Sequence, residues 1–195
     1  MTVFWSHGYE GASMAELTAA MGLSAPSVYA AFGNKEGLFR AVLDRYEARR
    51  IAFMDFVLAG ETARDVAERY LLGIVDFAAG TGSNNPRGCL LLQSGLSCGD
   101  WQITDELARH RAEKEAALRQ RFEQASRDGD PTAREYPERL ARYLMVMANG
   151  ICVQAASGET AEQLREVASI ALSGWPAAPS TSVEPVRGLL HSDKM

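Results

Sequence analysis

The chain has 195 residues, 47% of them hydrophobic and 23% charged, with a formal net charge of −5. This is the composition of an ordinary globular protein and excludes a disordered, collagen-like or low-complexity chain. The length allows one substantial core, or a small domain joined to a larger one, and the acidic balance argues mildly against nucleic acid, whose partners carry a basic patch.

Nearly every periodic segment has helical spacing. No run of alternating β-branched residues lies between turn signals, so the fold class is all-α, with about nine helices of ordinary length. A short helix over Val3–His7 is expected to end at Gly8, with GYEGAS as a loop. Ser13-x-x-Glu16 is a capping-box pattern and starts a helix that carries Leu17 and Met21 inward and stops at Gly22. Ser24 caps the next, with Pro26 in its first turn and an end near Phe32–Gly33. Asn34 caps a longer helix, with Leu38, Phe39, Val42, Leu43 and Tyr46 inward, that runs to about Leu58. After a break at Gly60-Glu61-Thr62 come a helix over Thr62–Ala79, a loop GTGSNNPRG and a compact apolar segment, Cys89–Ser97. A charge-laced helix spans Thr104–Asp128 and ends at Gly129-Asp130-Pro131. Pro137–Ala156 is apolar almost all round, so it must be buried on more than one side. Thr160–Trp175 is amphipathic, and the Pro/Ser/Thr-rich tail after it has a disordered composition.

Charge and cysteine usage narrow the class further. Up to residue 50, Lys35, Arg40, Arg45, Arg49 and Arg50 balance Glu10, Glu16, Glu36, Asp44 and Glu47, so this portion is neutral and the remainder acidic. The three cysteines, Cys89, Cys98 and Cys152, make no disulfide framework and suit a reducing cytoplasm. No Cys/His cluster has metal-ligand spacing, so neither metal nor cofactor is expected. The start MTVFWSH lacks the features of a signal peptide, and no apolar run reaches the roughly 18 residues of a membrane span. The expectation is a cytoplasmic protein without a membrane partner.

Two short helices joined by a glycine turn form a helix-turn-helix pattern over Ser13–Lys35. Its second helix, Ala25–Phe32, turns Val28 and Phe32 inward and presents Ala25, Ser27, Ala30 and Ala31 outward, small enough to let the backbone approach a DNA groove. Tyr29 projects sideways, where a phenol can reach a phosphate, and Lys35 can reach another. Ser13 and the amides behind it form an anion site at a helix N-terminus. The plainer alternative is three packed helices with no DNA role.

The run MAELTAAMGLSAPSVYAAFGNKEGLF resembles the DNA-binding module of the tetracycline-repressor-like (TetR/AcrR) regulators. The resemblance implies that Ser24, Ala25, Pro26, Ser27, Tyr29 and Lys35 lie at the DNA-facing side, with Ser13 and Met14 at a phosphate-contacting helix start. It also implies a larger helical domain that binds a small-molecule effector and dimerises through its last two helices; RGCLLL and NGICVQAASGETAEQLREVASIAL are similar to that domain in a subset of the family. The implied division is residues 1–46 for the helix-turn-helix, 47–175 for ligand binding and dimerisation, and 176–195 for the tail. Tyr70, Ile74, Phe77, Leu92, Gln93, Leu96, Trp101, Met145 and Asn149 are the candidate pocket; Leu140, Tyr143, Leu144, Met147, Ile151, Leu164, Val167, Ala168 and Ala171 are the candidate dimer interface. The implied function is a homodimeric repressor that binds a pseudo-palindromic DNA operator and leaves it when an effector binds.

Two departures from the family pattern stand out. Only the end of the usual first helix survives, as TVFWSHGYEG: either the start is placed too late or the domain is shortened by about two turns, leaving Val3, Phe4 and Trp5 to cover the core incompletely. The alternative function follows from this, a ligand-binding helical protein that has lost DNA binding. Secondly, Ala25, Ala30 and Ala31 offer no hydrogen bonds to bases, so readout falls to Ser27, Met14, methyl contacts or DNA shape.

Other features have competing readings. Gly95-Leu96-Ser97-Cys98-Gly99 matches the G-x-S-x-G nucleophile elbow, but the other strands of a hydrolase sheet are missing, so no enzyme is expected. Cys89 at a helix start is read as a small buried hydrophobe, with a redox or electrophile sensor as the alternative. His110, on a charged helix, is read as solvated.

Overall fold

The computed structural model describes residues 1–80, 86–97, 99–133 and 136–175, with the backbone alone at 96–97. The expected tail, most of the loop before Pro86, and Cys98 lie outside the described residues. The described residues fold into α1 (Thr2–Gly11), α2 (Met14–Met21), α3 (Ala25–Phe32), α4 (Lys35–Leu58), α5 (Ala63–Ala78), α6 (Leu90–Ser97), α7 (Trp101–Arg127), α8 (Pro137–Ser157) and α9 (Ala161–Ser173), with no strand among them.

Most helix starts carry a side chain that satisfies otherwise orphaned amides. Ser13, Thr62 and Thr160 close full capping boxes with Glu16, Asp65 and Gln163; Ser24, Asn34 and Asp100 cap α3, α4 and α7. Asp100 accepts from the amide of Gln102 at 2.9 Å, which starts α7 at Trp101, a turn before the expected Thr104. Arg121 of α7 donates to the carbonyls of Leu58, Gly60 and Glu61 at 3.1, 2.6 and 3.0 Å and so closes the corner where α4 meets α5.

The body is a stack of α5, α8 and α9 with the second half of α7. Along α8, Ala141, Leu144, Met145, Ala148, Ile151, Cys152 and Ala155 repeat at three- and four-residue steps and are buried. They meet Val66, Ala67, Tyr70, Leu71, Ile74, Val75 and Ala78 of α5, where the alanines let the two helix axes approach closely. Leu164, Ala168, Ala171 and Leu172 of α9 and Phe122 of α7 complete this core.

A second core belongs to the N-terminal head: Phe4, Trp5, Leu17, Val28, Leu38, Phe39, Leu43 and Tyr46. It does not stop at residue 46. Leu90 and Leu91 of α6 and Ile103 and Leu107 of α7 are buried in the same cluster, so elements from the second part of the chain floor the head. α4 enters both cores, through Leu43 and Tyr46 at one end and Met54 and Val57 at the other.

The N-terminus differs from expectation. α1 continues past Gly8 to Gly11, bent at Gly8, where φ is 70° and only glycine sits without strain. Phe4 and Trp5 are not incomplete cover: they are 0% and 2% exposed. Trp5 packs edge-on to Tyr46 and tilted against Phe77, with ring centroids 5.3 and 6.0 Å apart, and its indole N–H donates to the Arg87 carbonyl at 3.2 Å. The short helix holds because it is anchored on α6 and the segment before it.

Candidate nucleic-acid interface and the cavity behind it

α2 and α3 meet at Gly22, a left-handed C-cap, and the turn Leu23–Ser24 leads into α3. Val28 is the buried contact of α3, at 1% exposure, against the core that Leu17 and Leu38 share. With Val28 inward and Phe32 packed on the same core, Ser24, Ala25, Pro26, Ser27, Tyr29, Ala30 and Ala31 are all exposed. The result is a helix whose outer face is nearly bare backbone, with Tyr29 standing out at 46% exposure.

The polar groups near this face are already committed in part. The Ser24 and Ser27 hydroxyls lie 2.8 Å apart and bond to each other. Ser13 accepts from the Glu16 amide at 3.2 Å, and its hydroxyl donates to the Glu16 carboxylate at 2.7 Å. The side-chain and backbone hydrogen bonds from Ser13 hold the Glu16 carboxyl below its ordinary value of 4.5. The helix start offered to a phosphate therefore carries the chain's own anion. Met14 is half-buried against the head core. Lys35 folds back onto α1: its ammonium donates to the Glu10 carbonyl at 3.2 Å and sits 4.8 Å from the centre of the Tyr9 ring.

Behind the head, between α4, α5, α7 and α8, is a small cavity of about 30 Å³. Of the expected pocket residues, Tyr70, Ile74, Phe77 and Asn149 line it. Met145 is buried in the body core and accepts the Tyr70 hydroxyl at its sulfur, 3.4 Å away; Leu92 packs on the same core. Gln93 reaches the Arg87 carbonyl at 3.5 Å. Trp101 does not belong to the pocket: as the first residue of α7 it is 73% exposed. The Leu96 side chain lies outside the described residues.

The remaining lining residues escaped the sequence reading: Tyr46, Arg50, Phe53, Cys89, Lys114, Ala148 and Cys152. Cys152 lies one helical turn from Ala148 and Asn149, the signal that would have found it. Lys114, on the charge-laced helix α7, lines the cavity, where burial lowers its pKa. The Tyr46 hydroxyl is 3.2 Å from the Cys89 sulfur. The Cys152 thiol hydrogen-bonds the same sulfur, which lowers the Cys89 pKa, helped by the Lys114 charge and Tyr46 and opposed by burial; the shared bond and burial raise Cys152. Cys89 is not the plain buried hydrophobe expected. His110 is likewise not simply solvated: its Nδ1 faces Glu47 of α4 at 3.8 Å and Glu113 at 3.7 Å.

On the far side, α8 and α9 leave an apolar face uncovered. Tyr143, Val146, Val153, Val167 and Ile170 are 37 to 72% exposed, and Leu140 and Met147 are half-buried beside them. Two open grooves of about 630 and 570 Å³ run along this face and share Met147 and Val167. Leu144, Ile151, Leu164, Ala168 and Ala171, also expected at a dimer interface, are at most 8% exposed in the single chain; of these, Ala171 lines the first groove and Ile151 and Leu164 line the second.

Gly95 and Ser97 lie in α6, and no strand precedes them among the described residues, so the nucleophile-elbow geometry is not formed. Among the described residues no group of three or more His, Cys, Asp or Glu side chains is placed to hold a metal, and no helix is long and apolar enough to cross a membrane.

A helix-turn-helix head on an all-α body is the architecture of a helical bacterial regulator. Residues 1–42 match the model of the family described as bacterial regulatory proteins, tetR family. The chain is 34% identical over 180 residues to the HTH-type transcriptional repressor ComR of Escherichia coli (strain K12), covering 90% of this chain and 85% of that one. It is 29% identical over 174 residues to the HTH-type transcriptional repressor BdcR of the same organism, 87% and 81% covered. Among solved structures it is similar to a cysteine mutant of the TetR family transcriptional regulator CifR complexed with 26bp double-strand operator DNA, at 38% identity and a TM-score of 0.81, with 90% and 92% covered. The chain belongs to the TetR family.

Proposed function

We propose that this TetR-family chain is a DNA-binding transcriptional repressor that acts in the cytoplasm as a homodimer and is released from its operator by a small effector. The exposed, small-residue face of α3 carries the reading: nothing on it but Tyr29 hinders close approach of the backbone to a major groove. ComR and BdcR are repressors by name, and the CifR relative is complexed with operator DNA, which supports the same role here.

Tyr29, Ser27 and the amides at the start of α3 meet the duplex, with Ala25 and Pro26 in van der Waals contact. The amides of Met14 and Ala15, beside Ser13, take a phosphate despite Glu16. Lys35 leaves Tyr9 to reach the backbone. With few base-reading groups, specificity rests on shape and on thymine methyls.

The apolar stripe of Tyr143, Val146, Met147, Val167 and Ile170 fits a second copy of the same two helices as a four-helix arrangement. Two-fold symmetry then places the two α3 helices on half-sites on the order of 34–36 Å apart. An effector acts by favouring a spacing that does not fit, through its differential affinity for the two states. The buried Phe4 and Trp5 weigh against loss of DNA binding through a missing first helix.

A gel-shift titration against the DNA upstream of the protein's own coding sequence tests this. The expected result is a discrete complex that weakens steeply with salt. Equal affinity for unrelated DNA of the same length would overturn it.

A further inference from the structure

Resting on the repressor reading, we propose that Cys89 and Cys152 are a dithiol–disulfide switch, oxidised by a small hydroperoxide in the cavity between α4, α5, α7 and α8, and that the disulfide weakens operator binding.

Three independent observations carry it. The first is proximity of two segments remote in sequence. Both cysteines line the same cavity, and both are free thiols. Gly88, at φ +88°, lets the backbone approach α8: a Cβ there would lie 3.1 Å from the Cys152 carbonyl oxygen and 3.0 Å from the Ala156 Cβ. The second is the cavity itself. At about 30 Å³ it holds about one water-sized molecule, which suits a hydroperoxide as small as hydrogen peroxide and not a drug-sized ligand. The third is its chemistry. Lys114 lines it and the Tyr46 hydroxyl reaches the Cys89 sulfur, and together with Cys152 they favour a Cys89 thiolate, the nucleophilic form, against the effect of burial.

The reaction balances. The Cys89 thiolate attacks one peroxide oxygen; the S–O bond forms as the O–O bond breaks, and hydroxide leaves and takes a proton to become water. Cys89 is now a sulfenic acid. The Cys152 thiol gives up its proton and attacks the Cys89 sulfur; the S–S bond forms as the S–O bond breaks, and a second water leaves. Two thiols are oxidised by two electrons and one peroxide is reduced to two waters. A thiol reductant reverses the step by exchange.

The position of Cys89 links this to the head. It packs against both hydrophobic cores. Its segment is strapped to the rest of the fold: the Arg87 carbonyl accepts from Trp5, the Arg87 guanidinium donates to the Glu159 carbonyl, and the Gly88 amide donates to the Ala78 carbonyl at 2.8 Å. Tyr46, whose hydroxyl bonds the Cys89 sulfur, belongs to the helix that continues from the helix-turn-helix. Drawing Cys89 onto α8 moves the strap and removes the Tyr46 contact, so the Trp5–Tyr46–Phe77 cluster must repack.

The test uses the full chain with Cys98→Ser as background, treated with hydrogen peroxide and mapped by non-reducing peptide mass spectrometry. A Cys89–Cys152 crosslinked peptide, reversed by dithiothreitol, is expected. In Cys152→Ala, dimedone should trap a sulfenic acid on Cys89. Operator affinity should fall on the order of 10-fold or more on oxidation of the background protein, and should be unchanged by the same treatment in Cys152→Ala, with equal helical circular dichroism for all samples. Oxidation of Cys89 with Cys152 left as a free thiol, or an operator affinity indifferent to a formed disulfide, would overturn the switch. Reduced protein that binds no operator would instead sink the repressor reading, while the peptide map still decides whether the disulfide forms.

Discussion

At the scale of single residues, Ser13 and Trp5 have the most to do. Ser13 supplies the cap of α2, and replacing an N-cap hydroxyl by alanine costs about 1 kcal/mol. Ser13→Ala should therefore lower the thermal midpoint by a few degrees, read by circular dichroism, with no loss of helix elsewhere. The same cap has a pH dependence. Glu16 is held below 4.5 by Ser13, so its stabilising contribution is fully present above that value and is lost as pH falls through the depressed folded value. Glu16→Gln should remove this part of the acid response, and the stability curves of the two proteins should draw together once the pH has fallen below that depressed value. Trp5 joins α1, α4 and α5 through its ring contacts and the strap through its indole N–H. Trp5→Ala should destabilise by about 3–5 kcal/mol in denaturant titrations. Trp5→Phe, which keeps a ring and loses the hydrogen bond, should cost markedly less.

At the scale of elements, α3 separates stability from binding. Ala25 is exposed at its first position, where a carboxylate stabilises a helix by about 0.3–1 kcal/mol. The same charge would face phosphate, and like charges in an interface cost several kcal/mol. Ala25→Glu should keep or raise the melting temperature and weaken operator binding at least about tenfold, measured by fluorescence anisotropy on labelled DNA. A binding loss accompanied by unfolding would refute that separation. Capping residues made α2, α3 and α4 readable in the sequence, because a cap is a local interaction between residues three apart; α5 and α9 were readable from apolar residues at helical spacing. The second half of α1 was not readable: Gly8 is a stop signal by itself, and only packing on α6 carries the helix past it. Cavity residues were readable where an apolar helix carries a polar side chain, as at Asn149. They were hidden where the clue is tertiary, as for Cys89 and Cys152, 63 positions apart, or Lys114 on a charge-laced helix.

For the whole molecule, the two cores meet at α4 and at the segment Arg87–Cys89, so the head cannot shift without disturbing the cavity. The outer face of α8 and α9 is where a partner copy must seat if two heads are to address one operator. Ile170, 72% exposed in the single chain, lies outside the chain's own core. Ile170→Glu should give a folded monomer by sedimentation velocity, with operator affinity reduced on the order of 100-fold or more because two half-sites no longer act together. The face was legible from the amphipathic pattern, but its assignment was not: a helix apolar almost all round does not say which side packs within the chain and which is left for a partner. The most direct measurement is a hydroxyl-radical footprint of the reduced wild-type protein on its own upstream DNA. Two protected half-sites on one face of the duplex, about one helical turn apart or a multiple of it and related by a dyad, are the result expected. Uniform protection with no dyad, or none at a salt concentration where the fold is intact, would contradict the account.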